Sequence, residues 1–248
     1  MRFLPLVRPR PVAVLASAAL ALAACTNTDV GLGPTTTPEL LTFSAAQIKS
    51  LDSTGTVIVQ ANPGNGDLKS LVDSALMVLT AGVQAKRVNI TTDLTTVPLY
   101  MVGIHRAVSN VNGSFSTWTL VAIDDPNNLK NLIEVAGFAQ STGSTPPSSV
   151  SGTIGSVGNI GNGMLLQVAA GGAVTQWRPN AGTASFSSDA PGAACPGFTP
   201  TPKVTCALET MHVRFTETAA SGSGGASGRQ ATLSADTDVP AMRLTYTP

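Results

Sequence analysis

Alternation of apolar and polar positions is clearest towards the C-terminus. Met211, Val213 and Phe215 fall on one side of an extended chain, and His212, Arg214 and Thr216 on the other. That period of two marks a half-buried strand. Met242, Leu244 and Tyr246 repeat it. Runs rich in Val, Ile, Thr and aromatic residues at 56–60, 85–91, 99–108, 116–123, 132–138, 164–168, 173–177 and 183–187 predict further strands, separated by turn-forming residues. One segment has a helical period instead: Leu68, Leu71, Val72, Ala75, Leu76 and Leu79 recur at three- and four-residue steps. Asp67 stands at the N-cap position and Gly82 supplies the stop, which predicts a helix over 68–81. Its polar side carries one lysine, Lys69, too few for a membrane-surface helix, so its apolar stripe is expected to pack on a sheet. The fold class that follows is mainly β: an antiparallel β-sandwich or barrel-like sheet with one amphipathic helix packed on it.

Several stretches break the pattern. Residues 26–42 hold Gly31, Gly33, Pro34, Pro38 and a run of threonines, and read as a flexible tether that, if extended, reaches up to roughly 50 Å. Residues 141–149, with Pro146 and Pro147, and the Ala/Ser/Gly-rich 219–228 read as mobile connections, because such compositions bury too little to order themselves. Asp125-Pro126-Asn127-Asn128 has the residue order of a type I turn.

The N-terminus carries a different grammar. Arg2, Arg8 and Arg10 precede an uncharged run from Val12 to Ala24, shorter than the ~20 residues that span a hydrocarbon core as a helix. It ends in Leu22-Ala23-Ala24-Cys25. Residues 1–25 resemble the signal sequence of bacterial lipoproteins, whose lipobox places a branched residue and two small ones before a cysteine. The resemblance implies that Cys25 receives a diacylglycerol thioether, that cleavage precedes it, and that its new amine is acylated, so that two or more chains hold the protein to a membrane. Thr26 stands where an Asp would retain such a protein in the inner membrane, so the outer membrane is favoured. The chain is thus expected to comprise a leader at 1–24, a lipid-anchored tether at 25–42 and a single β-rich domain at 43–248.

Charge narrows the partners. Of 248 residues, 43% are hydrophobic but only 11% charged. Removing Arg2, Arg8 and Arg10 from the 14 basic residues leaves 11 against 14 acidic ones, a net charge of −3, which excludes the basic footprint of a nucleic-acid binder. Of the three cysteines, Cys195 and Cys206 remain after Cys25 is assigned to lipid. In an exported chain they are expected to form a disulfide around a loop that carries Phe198, a candidate anchor for a partner.

Catalytic motifs are missing. The sequence contains no G-x-S-x-G, Walker loop, dinucleotide fingerprint or H-E-x-x-H, and no cofactor or metal is called for. His105 and His212 each lie beside an arginine in a strand-like run, Asp124-Asp125 and Asp236-Thr237-Asp238 sit in turn-like contexts, and Trp118 and Trp177 read as core or rim residues. The sequence therefore favours a lipid-anchored envelope protein whose β-rich domain is an interaction or structural module, meeting a protein or polymer partner. The alternative is a hydrolase on a β-scaffold, drawing its acid and base from Asp124, Asp125, Asp236, Asp238, His105 or His212.

Overall fold

The computed structural model describes residues 39–64, 66–91, 96–124, 129, 131–154, 164–168, 174–221 and 230–248. The expected leader, Cys25 and the tether as far as residue 38 lie outside the described residues. So do the turn expected at 125–128 and most of the 219–228 connection.

The last residues of the expected tether belong to the sheet. Leu40–Leu41 (β1) pairs antiparallel with Ala85–Thr91 (β2). Two helices lie between them, where the periodicity predicts one. Helix α1, Ala45–Ala61, opens with a capping box: Ser44 Oγ accepts the Gln47 N–H at 3.3 Å, and Gln47 Oε1 accepts the Ser44 N–H at 2.9 Å. This satisfies two donors that a helix start otherwise leaves open. Residues 56–60, expected as a strand from their Thr, Val and Ile content, are the last turns of α1. Leu51, Gly55 and Ile58 are buried at helical spacing, and that packing outweighs a β-branched preference of a few tenths of a kcal/mol per residue. At the helix crossing a Cβ on Gly55 would stand 2.5 Å from Val72 Cγ1, so the glycine lets the helices approach. Helix α2, Gly66–Thr80, begins one residue before Asp67, and Gly82 ends it at φ 84°.

The remaining strands are β3 (Thr96–Val108), β4 (Ser114–Ile123), β5 (Asn131–Ser141), β6 (Ser149–Thr153), β7 (Met164–Val168), β8 (Val174–Ser188), β9 (Val204–Ser221) and β10 (Gln230–Tyr246). All ten strands belong to one sheet, not to the two stacked sheets of a sandwich. The sheet is mixed, because β10 runs parallel to β3 from Ala241↔Gly103 to Tyr246↔Val108 while the other pairings are antiparallel. Hydrogen-bonded neighbours lead from β10 through β3, β4, β5, β7 and β8 to β9, which pairs with β10 again. The sheet therefore curls and has an inner and an outer face.

Each face buries its own core, as alternation requires. Inside lie Met101, Trp118, Leu120, Ile133, Phe186, Met211, Val213 and Phe215. Outside, Val102, Ile104, Val121, Ile123, Met242 and Leu244 are covered by the helices through Leu51, Ile58, Leu68, Leu71 and Val78. Each such side chain contributes about 1.5–3 kcal/mol by leaving water.

The 141–149 connection, expected to be mobile, is instead a pinned strap. Carbonyl oxygens of Ser144, Thr145 and Pro147 accept hydroxyl protons from Ser109, Ser141 and Ser116 at 2.7, 2.8 and 2.6 Å, and the carbonyl of Ser148 accepts the Ser188 N–H at 3.1 Å. Serine hydroxyls stand in here for the backbone partners that the loop lacks.

Candidate functional site

The long β9–β10 ribbon, with β8 and β6 beside it, carries a groove of about 620 Å³ on its outer face. Inward positions of β9 are taken by Met211, Val213 and Phe215, so alternation turns His212 and Arg214 outwards. Strand register then aligns side chains across four strands. One row reads Ser149, Ser187, His212, Asp238, and the next reads Ser151, Ser185, Arg214, Asp236. Each is two hydroxyls, a cation-forming group and a carboxylate.

The charged groups of these rows answer one another. His212 is clamped between two carboxylates: Nδ1 meets Asp238 Oδ1, and Nε2 lies 3.0 Å from Asp189 Oδ1. These hydrogen bonds, Asp238 first, raise the imidazole pKa above 6.5. Both nitrogens face carboxylate oxygens, so each donates when the ring is protonated. Arg214 Nε lies 3.5 Å from Asp236 Oδ2, with both side chains about three-quarters exposed, a geometry worth little in stability. Outside the groove, Lys86 Nζ donates to Thr237 Oγ1 and to the Asp238 carbonyl, each at 3.0 Å. Among the described residues no group of three or more His, Cys, Asp or Glu side chains is placed to hold a metal ion.

A second polar cluster lies wholly inside. His105 is fully buried and stacks on Trp118 at 4.8 Å between centroids. Its Nδ1 is 3.0 and 3.2 Å from the Glu209 oxygens, and its Nε2 is 3.1 Å from Ser116 Oγ. Hydroxyl, imidazole and carboxylate in that order resemble a nucleophilic triad, but the donors point the wrong way. The single Ser116 proton goes to the Pro147 carbonyl at 2.6 Å, so Ser116 Oγ accepts the Nε2 proton, whereas a nucleophile must deliver its own proton to the imidazole. Ser188 donates to Glu209 Oε1 at 2.7 Å and accepts the Trp118 indole N–H at 3.0 Å. Arg243 Nη1 stands 3.8 Å from Glu209 Oε2. The cluster is a cross-link joining β3, β4, β8, β9 and the strap.

The candidate residues thus separate. His212, Asp236 and Asp238 meet at the groove, His105 is interior, Asp124 ends β4 away from both, and Asp125 and the Trp177 side chain lie outside the described residues. Cys195 and Cys206 are disulfide-bonded, with Cα atoms 5.5 Å apart. Phe198, expected as a presented anchor, is half-buried against the helix-side core. Ser116, Ser188, Asp189 and Glu209 are not singled out by sequence reasoning. Glu209 has a signal in hindsight: stepping the Met211–Phe215 alternation back by two puts it on the inner face, and stepping it forward puts Glu217 there. No known protein family, curated protein or solved structure matches the chain.

Proposed function

We propose that the chain is a lipid-anchored protein of the bacterial cell envelope, more specifically of the outer membrane, and that its β-rich domain is a binding or structural module. The groove on β8, β9 and β10 carries this reading. Its cations are held by neighbouring carboxylates, and its remaining polar groups are hydroxyls, so it offers many hydrogen bonds and no activated nucleophile. The leader ending in Cys25 supports the anchor. The Cys195–Cys206 bond is in keeping with an oxidising compartment outside the cytoplasm. Cys25→Ser should leave the protein uncleaved or soluble; unchanged membrane fractionation with normal processing would refute the anchor.

A hydrolase remains the second reading, favoured by one observation: His212, Asp236 and Asp238, all candidates for acid or base, converge on the groove. Turnover of a fluorogenic ester or glycoside that disappears in His212→Gln would favour it over a binding role.

A further inference from the structure

The outer face around the groove continues beyond the two charged rows. A third row, Thr153, Thr183, Thr216 and Ser234, aligns across the same four strands and is made of hydroxyls alone, all exposed. We propose that this face binds an uncharged, hydroxyl-rich polysaccharide chain. The proposal rests on the reading of the domain as a binding module and not on the anchor.

The chemistry of the rows selects that class. A hydroxyl both donates and accepts, so a lattice of Ser and Thr can exchange hydrogen bonds with sugar hydroxyls whichever way each is turned. The face sets two cation-forming groups, His212 and Arg214, against three carboxylates, Asp189, Asp236 and Asp238. That slight negative excess leaves no positive field to draw in a polyanion. The carboxylates keep lone pairs beyond those their partners use, and these accept further hydroxyl protons.

Order and spacing strengthen the case. Long charged side chains such as Lys and Glu lose about 1.5–2 kcal/mol of side-chain entropy each when fixed. Ser and Thr on a rigid sheet lose less and are already positioned. Strands stand about 4.8 Å apart and alternate residues about 6.7 Å apart, so the three rows form a patch roughly 14 Å on each side, long enough to meet several sugar units. None of the row positions is Phe, Tyr or Trp, and the His212 imidazole is held between two carboxylates, so no large ring stacks on a sugar. Each unit is therefore held weakly, and useful affinity requires many units in one chain. That points to a polymer and away from a monosaccharide.

The test is native electrophoresis of the exported protein, in mild detergent, through gels containing hydroxyethyl cellulose, soluble starch or mannan, with heparin as the polyanion control. Mobility should fall about twofold or more in at least one uncharged polysaccharide and stay unchanged with heparin, as multivalent contact to a neutral chain requires. The variant Thr183→Val/Ser185→Ala/Thr216→Val removes three outward hydroxyls without touching either core, and should restore the mobility seen in plain gels. If it melts early, Ser185→Ala alone carries the comparison and should reduce the retardation. Equal mobility of the wild type in all three polysaccharides, retardation by heparin alone, or undiminished retardation of the folded variant would overturn the proposal. Fractionation of Cys25→Ser tests the anchor separately, so neither failure is mistaken for the other.

Discussion

Gly197 lies against the end of α2 so closely that a Cβ there would stand 2.1 Å from the carbonyl oxygen of Thr80. Its own N–H donates to the carbonyl of Ala81 at 3.2 Å. The last carbonyls of a helix have no partner within it, and here the loop closed by Cys195–Cys206 supplies one. The disulfide therefore fixes the piece of chain that caps α2, and the half-buried Phe198 packs beside it on the same core.

Two substitutions test that latch. Gly197→Ala should lower stability by about 1–3 kcal/mol, since backbone must move to admit the methyl group. Cys195→Ala/Cys206→Ala should cost about 2–4 kcal/mol. Because both act on one contact, their combination should cost less than the sum. Urea midpoints of the four proteins decide it, and strict additivity would show that the loop and the helix end are independent.

Leu71 and Leu76 lie on one helix but not in one environment. Leu71 is fully buried between α2 and the sheet, whereas Leu76 is partly exposed. Leu71→Ala should cost about 2–5 kcal/mol because a cavity remains, and Leu76→Ala distinctly less. A helix lying on a bilayer would reverse the pattern, with both unfolding midpoints unchanged and vesicle adsorption lost.

Glu217 is buried on the inner face with neither carboxylate oxygen hydrogen-bonded, and desolvation lifts its pKa from 4.5 to about 7. Below pH 4.5 the group is protonated whether the chain is folded or not. Between 4.5 and 7 the unfolded chain releases a proton that the folded one keeps, so this contribution is lost as pH rises, by about 3 kcal/mol at pH 7 and above. His212, whose pKa is also raised, adds stability below 6.5 that is lost as pH rises through its folded value. Melting curves from pH 4.5 to 8 should show Glu217→Gln gaining on the wild type as pH increases, with His212→Gln flattening only the upper part of the profile. A constant offset for Glu217→Gln would contradict the assignment.

Removing Glu209 should be the most damaging single polar change. Glu209→Ala leaves His105 Nδ1, the Ser188 hydroxyl and Arg243 without their acceptor, and losing one partner of a buried ion pair costs about 3–5 kcal/mol. Glu209→Gln keeps an acceptor and should cost less. Because Trp118 stacks on His105 and donates to Ser188, its near-UV circular dichroism band should change in both variants. An unaltered band with small destabilisation would mean that the cluster does not order the interior.

Local patterns carried far where one face of an element meets one environment. The alternation through Met211, Val213 and Phe215 marks β9, and the stripe from Leu68 to Leu79 with Gly82 beyond it marks α2, because burial of one side imposes the period. The Cys195–Cys206 bond is the pairing expected from the count of cysteines once Cys25 is set aside. Residues 56–60 misled because Thr, Val and Ile prefer strands only weakly, and packing of Gly55 on Val72 decides otherwise. The strap at 141–149 reads as mobile by composition, since its order comes from serine hydroxyls as distant in sequence as Ser109 and Ser116.

By itself, then, the sequence determined a mainly β chain with an amphipathic helix, a low and balanced charge, and the pair of cysteines that bond. Each of those depends on residues near in sequence, or on counts. Tertiary structure alone decided that β10 runs parallel to β3, that Glu209 meets His105 across 104 positions, and that Ser149, Ser187, His212 and Asp238 fall in one row. The reason is strand register. Shifting one strand by a single residue turns every side chain to the opposite face, and that register is set by the summed packing of both cores, which no local segment encodes.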